Sequence, residues 1–378
     1  MTMRVRNRKR LLIGVALFFF SAMMIGCGGS NTALMGGAIQ GKALSLTGTT
    51  STLAGTAGTT GSTDATGAAA KFNVPYDITT DGKNLYVSDS LNNTIRKVVI
   101  ATAAVTTLAG TPSLTGGSSD GTGAAASFNY PNGITTDGTN LYVCDTGNNT
   151  IRKIVIATGA VTTLAGTASL TGGSSDGTGA AASFLGPLDL TTDGANLYVS
   201  DTGNSTIRKI VIATGAVTTL AGTAGKIGST DATGAAARFF FPYGITTDEI
   251  NLYVCDTSNN TIRKIVIATG AVTTLAGTAS LTGGSIDAIG PAASFNFPND
   301  ITTDGTNLYV ADTGNGTIRQ VVIATAAVTT LAGTAGKTGS TDATGAAAQF
   351  NRPYGITTDG KKLYLMDAEV NNTIRAIQ

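Results

Sequence analysis

Aspartates recur along this chain at fixed intervals, and their neighbours sort them into sets with different chemical prospects. Asp89, Asp145, Asp201, Asp256, Asp312 and Asp367 are each followed by an arginine, seven residues on from Arg96 to Arg319 and eight residues on at Arg375. An acid and a guanidinium so placed can form a catalytic or anion-binding pair. Their recurrence in all six places favours a structural role, with the carboxylate on turn amides and the arginine pairing locally. Asp81, Asp137, Asp193, Asp248, Asp304 and Asp359 form a second series, and Asp64, Asp120, Asp176, Asp231, Asp287 and Asp342 a third, upstream of G-A-A-A-x-F or a variant. Calcium takes roughly six to eight oxygens, of which one carboxylate per loop supplies few, so no metal site is expected. A fourth series alternates acid with glycine: Asp77, Gly133, Asp189, Gly244, Asp300, Gly355. Histidine is absent, which removes Ser-His-Asp triads and His-ligated zinc and leaves carboxylate or tyrosine chemistry. No paired carboxylates stand out, and no cofactor is expected.

The elements that must position these residues follow from one repeat. Phe72, Phe128, Phe184, Phe239, Phe295 and Phe350 share a register, and the stretch from Phe128 to Thr167 reads as four strands, ITTD, NLYVCD, TIRKIVI and AVTTLAG. Asp137-Gly138 suits a two-residue hairpin, since both residues tolerate positive φ. In the fourth copy Glu249 and Ile250 replace the glycine and a small residue, which predicts a distorted hairpin there. Pro291 replaces the first alanine of G-A-A-A and suits the start of a short helical turn. Apolar residues on both faces, as in Leu141, Tyr142 and Val143, require each sheet to be covered on both sides. Radial packing of four-stranded sheets satisfies that. The sixth copy stops at NNTIRAIQ without its fourth strand, and residues 50–56, TSTLAGT, carry the missing one. The fold expected is all-β: a six-bladed β-propeller with four antiparallel strands per blade, over residues 46–378, whose N-terminal strand closes the last blade and removes two edges.

Pro131-Asn132-Gly133-Ile134, Leu141 to Asp145 and Asn148 to Lys153 resemble the NHL-repeat motif P-x-G-I, N-L-Y-V-A-D, N-N-x-I-R-K-I, and the other copies do likewise. The resemblance implies the propeller fold. It does not select a function, because NHL propellers include protein-binding and RNA-binding modules and a peptide-amidating lyase.

On a six-fold ring the alternating series puts Asp77, Asp189 and Asp300 at 120° intervals around one mouth of the axis. A radius of roughly 7 Å from strand spacing separates them by about 12 Å, too wide for one ion held at about 2.4 Å. Such acids either attract a cationic or hydroxyl-rich ligand or cap strand starts. Beside them Tyr76, Asn132, Tyr243, Asn299 and Tyr354, with Leu188, give an aromatic and amide set suited to a polar ligand. Phe240 and Phe241 break the repeat before the fourth copy; exposed, they are a partner-binding hot spot, and buried, inter-blade filler. Cys144 and Cys255 fall two blades apart, roughly 17 Å by the same spacing, so they are expected as free thiols.

Residues 1–26 differ from the rest. Arg4, Arg6, Arg8, Lys9 and Arg10 precede LLIGVALFFFSAMMIG, the pattern of a secretory signal. Met24-Ile25-Gly26-Cys27 resembles the lipobox of bacterial lipoproteins, which implies cleavage after Gly26 and a lipid on Cys27, with residues 27–45 as a flexible tether. Gly28, where an inner-membrane lipoprotein would carry Asp, implies the outer membrane. Without the five charges of the signal, 19 basic residues face 23 acidic ones, and a net −4 disfavours nucleic acid. The sequence thus predicts a monomeric, lipid-anchored, non-enzymatic binding or scaffold module of the bacterial envelope, its partner a protein, peptide or glycan. A His-independent hydrolase or lyase at the mouth and a purely structural surface protein are the alternatives.

Overall fold

The computed structural model describes residues 43–378; the expected signal, Cys27 and the tether up to residue 42 lie outside them. Six antiparallel sheets stand around an axis. In blade 2 the strands run Pro131–Thr136, Asn140–Asp145, Thr150–Val155 and Ala160–Ala165, from the axis outward. The sixth blade is composite: Pro353–Thr358, Leu363–Asp367 and Thr373–Ile377 are completed by Thr50–Ala54, with Thr50 opposite Ile377 and Thr52 opposite Arg375. Thr47 and Thr49 both donate backbone N–H groups to the Gln378 carbonyl, so the two ends of the chain close the ring. Blades 2 and 3 gain a two-residue fifth strand, Gly121–Thr122 and Gly177–Thr178.

The core lies between blades. Tyr86, Ile95 and Ala109 of blade 1 pack on Phe128, Ile134, Leu141 and Val143 of blade 2 or its approach, and the same layer recurs around the ring. This is why apolar side chains occupy both faces of each strand: every sheet has a neighbour on either side. Burying such side chains contributes roughly 1.5–3 kcal/mol each.

Two local expectations change. In the inner hairpins three residues separate the strands; the Asp137 N–H bonds the Asn140 carbonyl and only Gly138 has positive φ, at 84°. Asp137 instead accepts from the Thr139 and Asn140 amides and from the Tyr142 hydroxyl at 2.9 Å. The blade 4 hairpin is not distorted. Glu249 takes the glycine's left-handed conformation, φ 71°, and the Asp248 bonds are kept, because the surrounding capping bonds outweigh the roughly 1–2 kcal/mol that a side chain costs there. A 3-10 turn does form there, Gly290–Ala292, with Pro291 its second residue.

Candidate functional site

The six-fold residues build blades. Arg152, fully buried, donates to Asp145 at 2.6 Å, to Asp120 at 2.8 Å and to the Ser127 and Ser119 carbonyls at 3.0 Å, with the Phe128 ring 5.2 Å away. Arg96, Arg208, Arg263, Arg319 and Arg375 repeat the arrangement. One arginine thus joins the first and third series, which the sequence left as separate features. Burial pushes Asp145 up to about 6 against the pull of its amide donors and Arg152. Both carboxylates of each loop are thus engaged by the arginine. Among the described residues no group of three or more His, Cys, Asp and Glu is placed to hold a metal ion.

At the axis the symmetry drops to three. Asp77, Asp189 and Asp300 are buried at the starts of the inner strands of blades 1, 3 and 5. Each carboxylate reaches across to the next blade: Asp77 accepts from the Ile134 N–H at 2.8 Å, Asp189 from Ile245 at 2.7 Å and Asp300 from Ile356 at 2.6 Å. The alternation with glycine is steric. A Cβ on Gly133 would lie 2.4 Å from the Asp189 Cα and 2.6 Å from its Oδ1; on Gly244 it would lie 2.4 Å from the Asp300 Cα. Only every second position can carry a side chain.

This crowding corrects the expected separation of about 12 Å. A Cβ on Gly133, Gly244 or Gly355 would meet the Cα of an Asp in the next blade at 2.4–2.5 Å, and all three acids line one recess. The spacing argument failed because the glycines let the strand starts converge more closely than neighbours in a sheet, about 4.8 Å apart. Burial, and then the neighbouring carboxylates, push all three acids well above the usual carboxylate range.

Above them a small recess, partly open to solvent, is lined by Tyr76, Leu188 and Asn299 together with the acids and glycines. The Tyr76 and Tyr354 rings are 5.0 Å apart. Tyr76 is raised well above its ordinary value by burial, then by Tyr243 nearby. The Asn299 side chain donates to the Tyr76 hydroxyl at 3.4 Å, and Tyr354 donates to Glu369, which also pairs with Arg352 at 2.8 Å. Asn132 is not part of this set; its side-chain oxygen accepts from Ser90 of blade 1. Phe240 and Phe241 stack at 5.3 Å, the first half-buried and the second exposed, away from the recess lining. Cys144 and Cys255 are free and buried, as expected, and burial followed by the axial carboxylates raises both thiols.

Sequence reasoning missed the residue before each proline. Val74, Tyr130, Phe241, Phe297 and Arg352 have φ between 47° and 61°; only Gly186, at 54°, signals the left-handed requirement in the sequence. Three of these non-glycine residues are braced by an asparagine of the preceding blade, as Tyr130 N–H is by Asn93 at 2.7 Å. The strain holds Tyr130, Phe241 and Phe297 exposed at the mouth end. Leu114, Leu170 and Leu281, 78–88% exposed, stand on loops tied to the turns of the same end.

No family model matches the chain. It is 28% identical over 295 residues to human "NHL repeat-containing protein 2", covering 69% of this chain and 40% of that protein. The chain spans less than half the length of the curated relatives it matches. Among solved structures it is similar to a Bacteroides thetaiotaomicron protein of unknown function, with TM-score 0.65 and 23% identity over 87% of this chain and 75% of that one. An auxiliary nutrient binding protein from Bacteroides ovatus gives TM-score 0.64 and 16% identity over 87% and 76%. At those identities the structures establish the fold. With the repeated motif, the closed ring and the NHL relatives taken together, the chain is a six-bladed β-propeller whose repeats are similar to those of NHL-repeat proteins.

Proposed function

We propose that this propeller is a non-enzymatic binding module of the bacterial envelope, lipid-anchored through Cys27, that presents its mouth end to a protein, peptide or glycan. One observation carries the reading: at one end of the axis the six-fold pattern gives way to three buried acids with unlike neighbours. Tyr76, Tyr243, Tyr354 and Asn299 surround the axial acids there, and Phe241 is exposed at the same end. The propeller fold, shared with NHL and nutrient-binding proteins, is compatible with a binding or scaffold role. The described chain meets the ring at the opposite end, where the Leu44 N–H bonds Asp304 of a blade 5 hairpin at 2.9 Å.

Capture of partners by the full-length protein in its own membranes tests the reading, beside an Asp77→Asn, Asp189→Asn, Asp300→Asn variant. Loss of a specific partner with the melting temperature kept is the expected outcome, and undiminished capture would sink the mouth as the site. Fatty-acid labelling that persists in Cys27→Ala would refute the anchor.

A further inference from the structure

The loops of the mouth end hold apolar side chains out on separate tips. Leu114, Leu170 and Leu281, 78–88% exposed, lie on the loops entering blades 2, 3 and 5. Each tip is fixed by the same bonds. The Thr115 N–H donates to the Ser113 hydroxyl at 3.2 Å, and the Asn93 side chain of the preceding blade donates to the Ser113 carbonyl at 2.6 Å. Ser169 and Ser280 are bonded in the same way. Tyr130, Phe241 and Phe297, 40–52% exposed, stand further along such loops, just before the inner strands. In the loops entering blades 4 and 6 an exposed lysine, Lys226 or Lys337, follows Ala-Gly. Asp64 and its five equivalents, the acids of these loops, are each held by a buried arginine, and Glu369 pairs with Arg352. Among the described residues Lys71, Lys226 and Lys337 pair with no carboxylate, so the charge left unpaired on these loops is positive.

We propose that these loop tips dock on the surface of an anionic lipid bilayer. This goes beyond a binding mouth: it sets the mouth against a membrane, so that its partner is a component of that membrane, and it does not depend on a lipid at Cys27. A leucine on a protruding tip enters the boundary between headgroups and acyl chains without needing a matching pocket. Tyrosine favours the headgroup level, and lysines are drawn to anionic lipid. A protein surface fits less well. Hot-spot residues gather at the packed, water-free centre of an interface, whereas these leucines stand singly on three loops, each between a serine and a threonine.

The chain contains no tryptophan, so an indole placed at one tip reports that tip alone. Leu114→Trp, Leu170→Trp and Leu281→Trp, each in the full-length protein with Cys27→Ala, are titrated with vesicles of equimolar phosphatidylcholine and phosphatidylglycerol. Ile250→Trp, on an exposed hairpin of the opposite end, is the control. The three tip indoles should move to shorter emission wavelength and be quenched by lipid brominated on its acyl chains, while the control stays unchanged. Adding Lys226→Ala and Lys337→Ala should weaken tip insertion about 30-fold for the two lysines together. Tip indoles that stay in water on these vesicles, or a control that shifts as much as they do, overturn the proposal. Tips that move only when an envelope protein is present in the vesicles also overturn it, in favour of a protein contact. Loss of the partner by the triple Asn variant while the tips stay in water removes the bilayer and keeps the mouth as the binding end. Tips that insert while that variant keeps its partner do the reverse.

Discussion

Replacing Arg152 by leucine isolates what holds a blade together. The guanidinium is fully buried and joins Asp145 at 2.6 Å to Asp120 at 2.8 Å, while closing two carbonyls of the loop that enters the blade. Asp145 would keep its bonds from the Asn129 amide at 2.7 Å and the Asn148 side chain at 2.8 Å, but its charge would have no counterion. Breaking a buried pair from one side costs about 3–5 kcal/mol, and the lost contact with Phe128 adds about 0.5–2 kcal/mol. These terms overlap, so about 4 kcal/mol is expected, a large share of the roughly 5–15 kcal/mol that holds a typical protein folded. Calorimetric unfolding at pH 7.5 measures it. Adding Asp145→Asn removes the stranded charge and should recover about half the loss, giving a coupling above about 1 kcal/mol. Arg319→Leu in blade 5, with the equivalent partners, should match Arg152→Leu within about 1 kcal/mol. A cost below about 1 kcal/mol, or the same cost with and without Asp145→Asn, would refute the account of the blade.

The remaining predictions concern pH, the axis and ring closure. Burial raises Asp89, Asp145, Asp256 and Asp312 to about 6, and burial, then the neighbouring carboxylates, raise Asp77, Asp189 and Asp300 well above the usual carboxylate range. Those three also face Tyr76, Tyr243 and Tyr354 above and Cys144 and Cys255 behind. A raised carboxyl contributes stability that is full below its unfolded value of about 3.9 and is lost as pH rises through the folded value. The melting temperature should therefore fall between about pH 4 and pH 6.5; a rise across that window contradicts the assignment. Gly133→Ala should destabilise by about 3 kcal/mol, because the new Cβ meets backbone 2.4 Å away; a neutral effect in thermal melts would show that the axis is looser than described. Deleting residues 43–56 removes Thr50–Ala54 and should abolish hydrogen-exchange protection along Thr373–Ile377, whose partner strand it is; protection that survives would mean the ring closes some other way.

The ring was legible in the sequence because six copies of one pattern average away local ambiguity, and because TSTLAGT at residues 50–56 matches the strand that the last copy lacks. The buried Asp and Arg series was legible as structure for the same reason. The axis was less so. Alternation of Asp with Gly marked the residues, but their separation depends on how far glycine lets the strands converge, which spacing rules do not contain. Asn132 looked equivalent to Asn299 by register, yet Ser90 in blade 1 claims it where blades 2 to 5 have a threonine. The left-handed residues before each proline were hidden because Val74, Tyr130 and Phe241 are residue types that rarely adopt positive φ. Neighbouring-blade side chains far off in sequence brace that conformation, asparagines at Val74, Tyr130 and Phe297 and Ser205 at Phe241.

The central claim, that this ring binds through its mouth end, is tested most directly by comparing two variants of equal stability in one capture experiment from native membranes. The first is the Asp77→Asn, Asp189→Asn, Asp300→Asn protein. The second carries Lys83→Ala and Lys361→Ala on exposed hairpins of the opposite end. The account predicts that the first loses its partner and the second keeps it. Retention by the mouth variant with loss by the hairpin variant would contradict it.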